Sequence, residues 1–330
     1  MTDRIDGARR ALVLGAGALA CVPAATWAQV AQDRITVVAP FPPGGPVDTL
    51  ARLLADGLSR RANKPALVEN VPGGAGNIGI ERVKRARPDG QTLLVIPAGN
   101  LTINPTLMTN FPFDIERDFT AVTMLATAPN VLVAGPGAKV KDLKDLKDLL
   151  AQAKARPGAF SFASPGVGSG LHLAGELFKQ QAGVDLLHVP YKGTGPALND
   201  VLGGNVPLMF SNLPATLGHI RSGKLLALGI TDKVRTPVAP EIPTLMEQGV
   251  PGVVVTSWYG LMAPAGTPPE LAARLARDAQ EILSPPQVQE QLKSQGLQTV
   301  RMTPAEYAAH IKAETATWAG VIRSRNIKAE

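Results

Sequence analysis

The sequence is poor in cysteine, in aromatic rings and in clustered charge, and each shortage removes a class of function. Of 330 residues a single one is cysteine, Cys21. Disulfide frameworks and thiolate zinc sites both need more thiols than that. Phenylalanine, tryptophan and tyrosine together make up 4% of the chain, too few for the ring platforms on which single-stranded nucleic acids stack. The formal net charge is +6, yet it is spread thinly, with no basic run resembling a nucleic-acid arm. Nucleic acid is excluded as a partner, and a mild preference for anions remains. The apolar stretch Ala11–Val22 is also short of the roughly 20 residues that span a bilayer.

Enzymatic and cofactor motifs are scarce too. The four histidines, His172, His188, His219 and His310, include no pair at zinc spacing. Gly15-Ala16-Gly17-Ala18-Leu19-Ala20 fits a dinucleotide fingerprint, but Pro23 would fall inside the helix that must follow it. Gly218 to Lys224 approaches a P-loop, except that Leu225 replaces the hydroxyl residue that holds Mg²⁺ and a strand follows instead of a helix. Ser169 and His172 lie three apart, a conceivable nucleophile and base, without the G-x-S-x-G elbow. Ser169 reads better as a helix N-cap or a ligand donor. No catalytic residue, metal or cofactor is expected.

What is present begins with an address. Arg9-Arg10, the apolar stretch, Pro23 and then Thr26-Trp27-Ala28 form the charged, apolar and small-residue parts of a signal peptide over 1–28, cleaved about Ala28/Gln29. Both general secretion and the twin-arginine route fit. Cleavage removes Cys21, so the exported chain is held by its cores alone.

Thereafter strands and helices alternate. Ile35–Ala39 is β-branched and bounded by turn residues, a buried strand. After the Pro40–Gly45 loop, Val47, Leu50, Ala51, Leu54 and Leu58 share one helical face. Strands at Ala66–Glu69 and Thr92–Ile96 follow, with a helix over Ile78–Arg87 and a loop over Pro97–Asn104. Strands linked by helices imply a parallel sheet, with ligands at the carboxyl ends of its strands. A second unit of the same plan starts near Asn130, with strands at Phe160–Ala163, Leu186–Val189, Val206–Phe210 and Leu225–Ile230. A strand at Gly260–Ala263 and helices at Pro269–Leu283 and Pro304–Arg323 close the chain. The Lys-Asp-Leu triplets of Lys141–Leu149 read as a solvated helix face.

Four glycine turns stand between strand and helix: Gly44-Gly45, Gly73 to Gly76, Gly166 to Gly170 and Gly193 to Gly195. Each can point backbone N–H groups at an anion from the positive end of a helix. Their matched placement in two α/β units predicts a cleft for an anion or carboxylate. Asp48, near the third position of the first helix, serves either the helix end or the ligand.

These motifs resemble the solute receptors of the tripartite tricarboxylate transporters, the Bug family. The resemblance is carried by Pro40-Phe41-Pro42-Pro43-Gly44-Gly45-Pro46-Val47-Asp48, by Asn70 to Gly79, by Pro88-Asp89-Gly90-Gln91-Thr92, by Gly166 to Leu173, by Pro190-Tyr191-Lys192-Gly193 and by Trp258-Tyr259-Gly260-Leu261. It implies an α/β type II periplasmic binding protein fold: two lobes, a cleft, and two crossing segments near Ala126–Asn130 and Val255–Gly260. Domain 1 would take 29–127 and 257–330, and domain 2 would take 128–256. The implied function is capture of a small carboxylate by lobe closure, by a non-enzymatic periplasmic monomer that delivers it to a membrane permease. A receptor feeding a membrane signalling partner is the alternative, with a secreted hydrolase behind it. One ligand wall would be Phe41, Pro43, Gly44, Gly45, Val47 and Asp48 with Asn77. The other would be Ser164, Gly166, Gly168, Ser169, Tyr191 and Lys192. Val47 stands where a hydroxyl residue is common, and Ser211 where the family often has aspartate. That second departure disfavours amino acids and leaves an amine-free acid, with Phe41 and Tyr191 able to accept an aromatic one.

Overall fold

The computed structural model describes residues 34–138, 145–324 and 327–328. The expected leader and residues 141–144 of the Lys-Asp-Leu repeat lie outside the described residues.

The first sheet is built around β1 (Ile35–Ala39), whose five side chains are all buried. β2 (Ala66–Asn70) and β3 (Thr92–Pro97) pair with it in parallel on either side. Next to β3 comes an antiparallel strand from late in the chain, β10 (Ser257–Pro264), then β4 (Phe119–Ala128) and the two-residue β11 (Gln298–Thr299). The second sheet repeats this plan. β6 (Phe160–Ser164) lies between β7 (Leu186–Pro190) and β8 (Leu208–Asn212), both parallel to it. β5 (Asn130–Ala134) follows antiparallel to β8, and β9 (Leu226–Ile230) forms the edge. In each sheet the strand that follows the parallel three, antiparallel to its neighbours, arrives from the other sheet. β5 begins one residue after β4 ends, across Pro129, and β10 is the first strand after β9.

This corrects one expectation. The sheets are mixed, because a chain that crosses between them enters each beside its third strand and in the opposite direction. The segment 97–104, read as a loop, forms short helices at Ala98–Thr102 and Asn104–Leu107, the second opening with proline in its first turn. Pro105 suits that position because the first helical N–H groups need no intrahelical acceptor. β8 runs past the expected strand end at Phe210 and takes in Ser211 and Asn212. The strand β4 and the helix Pro286–Ser294 were not foreseen.

Apolar layers cover both faces of each sheet. Helix Pro46–Ala62 lays Leu50, Ala51, Leu54 and Leu58 against Val37, Leu93 and Leu261. Gly57 lets it approach helix Pro269–Ile282, since a Cβ there would lie 2.4 Å from Ile282. The C-terminal helix Pro304–Ser324 serves both halves. Tyr307 and Ile311 pack with Leu94, Met124 and Met262, whereas Trp318 and Ile322 join the core of Leu132, Phe162 and Phe178. Burial of such side chains is worth about 1.5–3 kcal/mol each, so this helix ties the two halves together.

Candidate ligand cleft

The loops that follow the parallel strands gather at one end of each sheet, and hydrogen bonds knit them within each half. In the first half Asn70 Nδ2, at the end of β2, donates to Phe41 O at 3.2 Å and to Asp48 Oδ1 at 3.0 Å. Asn100 Nδ2, after β3, donates to Ala75 O at 2.8 Å. In the second half Tyr191 N–H donates to Ser164 O at 3.1 Å and Gly193 N–H to Pro165 O at 2.9 Å. The two ends meet at Gly99 and Gly168: a Cβ on Gly99 would lie 2.8 Å from Gly168 O.

Helix Pro46–Ala62 begins at the end of the Phe41–Gly45 loop that follows β1. Gly45 is its N-cap, no side chain caps it, and Pro46 occupies the first turn. The N–H groups of Val47 and Asp48 therefore have no intrahelical acceptor and face the cleft end with the positive pole of the helix. Val47 is buried, Phe41 and Gly45 are half-buried, and Pro43 and Gly44 are exposed. The Asp48 side chain is committed elsewhere. Its Oδ2 accepts Gly44 N–H at 3.1 Å and Arg52 Nε at 2.9 Å, while Oδ1 takes Asn70. Burial opposes its charge, but these donors prevail and hold the carboxyl below the usual aspartate range. Asp48 is thus the clasp of the Phe41–Gly45 loop, and it withdraws the Gly44 amide from any ligand.

The glycine turn Gly73–Gly76 brings Asn77 to the start of helix Asn77–Lys84, with Gly73, Gly74 and Gly76 all at positive φ. Asn77 Oδ1 is buried and has no hydrogen-bond partner among the described residues, so it is an acceptor awaiting a donor.

On the second half two of the expected amides also point inward. Gly166 N–H donates to Ser164 Oγ at 3.2 Å, and Gly168 N–H to His172 Nδ1 at 3.4 Å. Ser169 is an N-cap, as one of its two readings required. Its Oγ accepts His172 N–H at 3.1 Å and donates to Gly166 O at 2.7 Å. Beneath this loop lies a column the sequence reading missed. His172 stacks on His188 with centroids 4.1 Å apart, His188 stacks on Phe162, and Ser164 Oγ bonds His188 Nε2 at 2.7 Å. Burial, then the neighbouring His188 and Lys179, lower His172 to about 3. Burial followed by Lys179 lowers His188 to about 4. Both rings are neutral at physiological pH, which is what lets His172 Nδ1 accept. The only available signal was the pair of histidines on adjacent elements.

Tyr191 is half-buried, and its hydroxyl donates to Asp200 Oδ2 at 2.6 Å. Burial, then that bond, push the phenol up to about 12. Lys192 is exposed beside helix Thr194–Leu202, whose N-terminus also lacks a side-chain cap. Ser211 is fully buried and donates to Asn212 O at 3.2 Å. Among the described residues no group of three or more histidine, cysteine, aspartate or glutamate side chains could hold a metal ion.

The crossings carry a second unforeseen network. Asn130 donates to Val255 O at 2.7 Å, and its Oδ1 accepts Asn212 Nδ2 and Ser257 Oγ, each at 2.8 Å. Thr231 Oγ1 donates to the same Val255 carbonyl at 2.6 Å. The outgoing and returning strands are thereby joined through buried side chains where they pass.

Residues 50–327 match the model of the tripartite tricarboxylate transporter family receptor. The chain belongs to that receptor family. It is 40% identical to Protein BugT of Bordetella pertussis over 89% of this chain and 90% of that protein. An R. palustris protein solved with adipate superposes with a TM-score of 0.83 at 33% identity, over 89% of this chain and 98% of that one. MatC of Rhodopseudomonas palustris with bound malate gives 0.80 at 32%, over 88% and 98%. Receptors of this kind are periplasmic solute-binding proteins without enzymatic activity, and the two-sheet α/β fold is theirs.

Proposed function

We propose that the protein is exported, captures a small amine-free carboxylate between its halves, and presents it to a membrane permease. The observation that supports this best is the uncapped start of helix Pro46–Ala62. It places two acceptor-free N–H groups and a helix pole beyond the carboxyl end of β1, an arrangement suited to an anion. The exposed Lys192 and the uncapped helix Thr194–Leu202 add positive potential from the other half. No acid at the named positions is free to meet a ligand ammonium: Asp48 is fully engaged, and position 211 is a buried serine. Relatives solved with adipate and malate support an organic acid, and the receptor family supports a permease partner. Capture follows from closure of the two lobes, 29–127 with 257–330 and 128–256, about the crossings.

Calorimetric titration of the mature protein with adipate, malate, citrate and benzoate, each beside its amide, tests this reading. One acid is expected to bind in the low-micromolar range, about −8 kcal/mol, and its amide at least a hundredfold more weakly. Binding of a neutral sugar or an amino acid, with no response to any acid, would overturn it.

A further inference from the structure

The two halves touch backbone to backbone at a place where a side chain is missing. Gly99 lies in the helix Ala98–Thr102, with helical geometry and no positive φ. Alanine would favour that helix by about 1 kcal/mol, so local structure gives no reason for glycine. The reason lies across the junction. A Cβ on Gly99 would stand 2.8 Å from Gly168 O, 3.5 Å from Gly170 N and 3.6 Å from Ser169 Cα. All three are main-chain atoms of the opposing loop.

That loop cannot retreat. Gly168 N–H is held by His172 Nδ1, Ser169 Oγ is bonded to Gly166 O and His172 N–H, and Gly166 N–H is held by Ser164. On its outer side Gly168 faces Asn104, from the helix after Gly99: a Cβ on Gly168 would meet Asn104 Oδ1 at 2.2 Å. Asn104 is 3% exposed, and its Oδ1 has no hydrogen-bond partner among the described residues. The seating surface is therefore rigid on one side and lacks a side chain on the other.

We propose that Gly99 is a positioning residue for ligand retention: its missing side chain lets the first half seat on the Gly166–Gly170 loop, and that seating holds the captured ligand. Gly99 need not touch the ligand. The inference rests on the capture reading, but its test separates the two.

Gly99→Ala and Gly99→Leu are compared with the wild type in three measurements. The probe is whichever of adipate, malate, citrate or benzoate binds the wild type most tightly. The ligand-free melting temperature of Gly99→Ala should match that of the wild type, because its new methyl group meets only the other half. Its affinity for the probe should fall at least tenfold through faster release, with the capture rate unchanged, and Gly99→Leu should lose more. Small-angle scattering of the wild type saturated with the probe should fit the seated structure, and that of the variants should not. Wild-type retention in Gly99→Ala, or a wild type that never fits the seated structure, would overturn the proposal. Should no acid bind the wild type, the carboxylate reading falls, and the neutral sugar or amino acid that does bind becomes the probe for release and scattering.

Discussion

At the residue scale the account turns on side chains whose partners could not be guessed from their neighbours in sequence. His172 follows Ser169 at a distance that suits a general base, yet its Nδ1 is occupied by Gly168 N–H and its ring lies against His188. The stack has a measurable consequence. In the unfolded chain both imidazoles titrate near pH 6.5, whereas burial lowers His172 to about 3 and His188 to about 4 in the fold. Between those limits the unfolded state binds more protons, so stability falls as pH falls, with a slope of up to about 1.4 kcal/mol per pH unit for each ring. Above pH 7 neither ring contributes to the slope. Urea unfolding at pH 7.5, 6 and 5 should show a midpoint that drops with acidity, in a window above most carboxylate titration. His172→Asn, which can still offer an oxygen to Gly168 N–H, should flatten the slope. A wild-type midpoint constant over that window would contradict the neutral stack.

At the element scale the helix Pro46–Ala62 shows what was readable and what was not. Its buried face follows from 3.6-residue periodicity, and β1 follows from its β-branched run between turn residues. Pro46 and the glycines before it marked the helix start. The clasp on that start was not readable, because Asn70 reaches Asp48 from the end of β2, 22 positions away. The strand β4 was missed because its threonines and alanines show neither strict alternation nor a sustained apolar run. The helices after β3 were hidden by Gly99 and Pro105, which signal turns in isolation. Asp48→Ala tests the clasp. Gly44 N–H, Arg52 and Asn70 lose their common acceptor, and stability should drop by about 1–3 kcal/mol. Acid affinity should fall by about tenfold or more as the Phe41–Gly45 loop loosens. Because the native Asp48 carboxyl sits below its ordinary range, its stabilisation exists above the unfolded value and fades as pH falls through the folded one. A variant with wild-type affinity would show that the loop holds its shape unaided.

At the scale of the whole molecule the two-unit plan was legible because glycine turns recur after matching strands. The mixed sheets were not, since the exchange of β5 and β10 between halves joins distant segments: Asn130 pairs with Asn212, 82 positions on, and Tyr259 with Pro97, 162 positions back. Nor was the Asn130–Asn212–Ser257 network at the crossings, for the same reason. Of the expected ligand donors, the structure leaves the Val47 and Asp48 amides without an intrahelical acceptor or a side-chain cap. It turns those of Gly44, Gly166 and Gly168 inward. The account therefore depends on the first turn of one helix. A crystal structure with the tightest-binding acid tests this most directly. The account predicts a carboxylate oxygen about 2.7–3.1 Å from the Val47 or Asp48 nitrogen, enclosed by the Gly166–Gly170 loop seated on Gly99. A carboxylate held only by Lys192 or another surface cation, with both amides unoccupied, would contradict it.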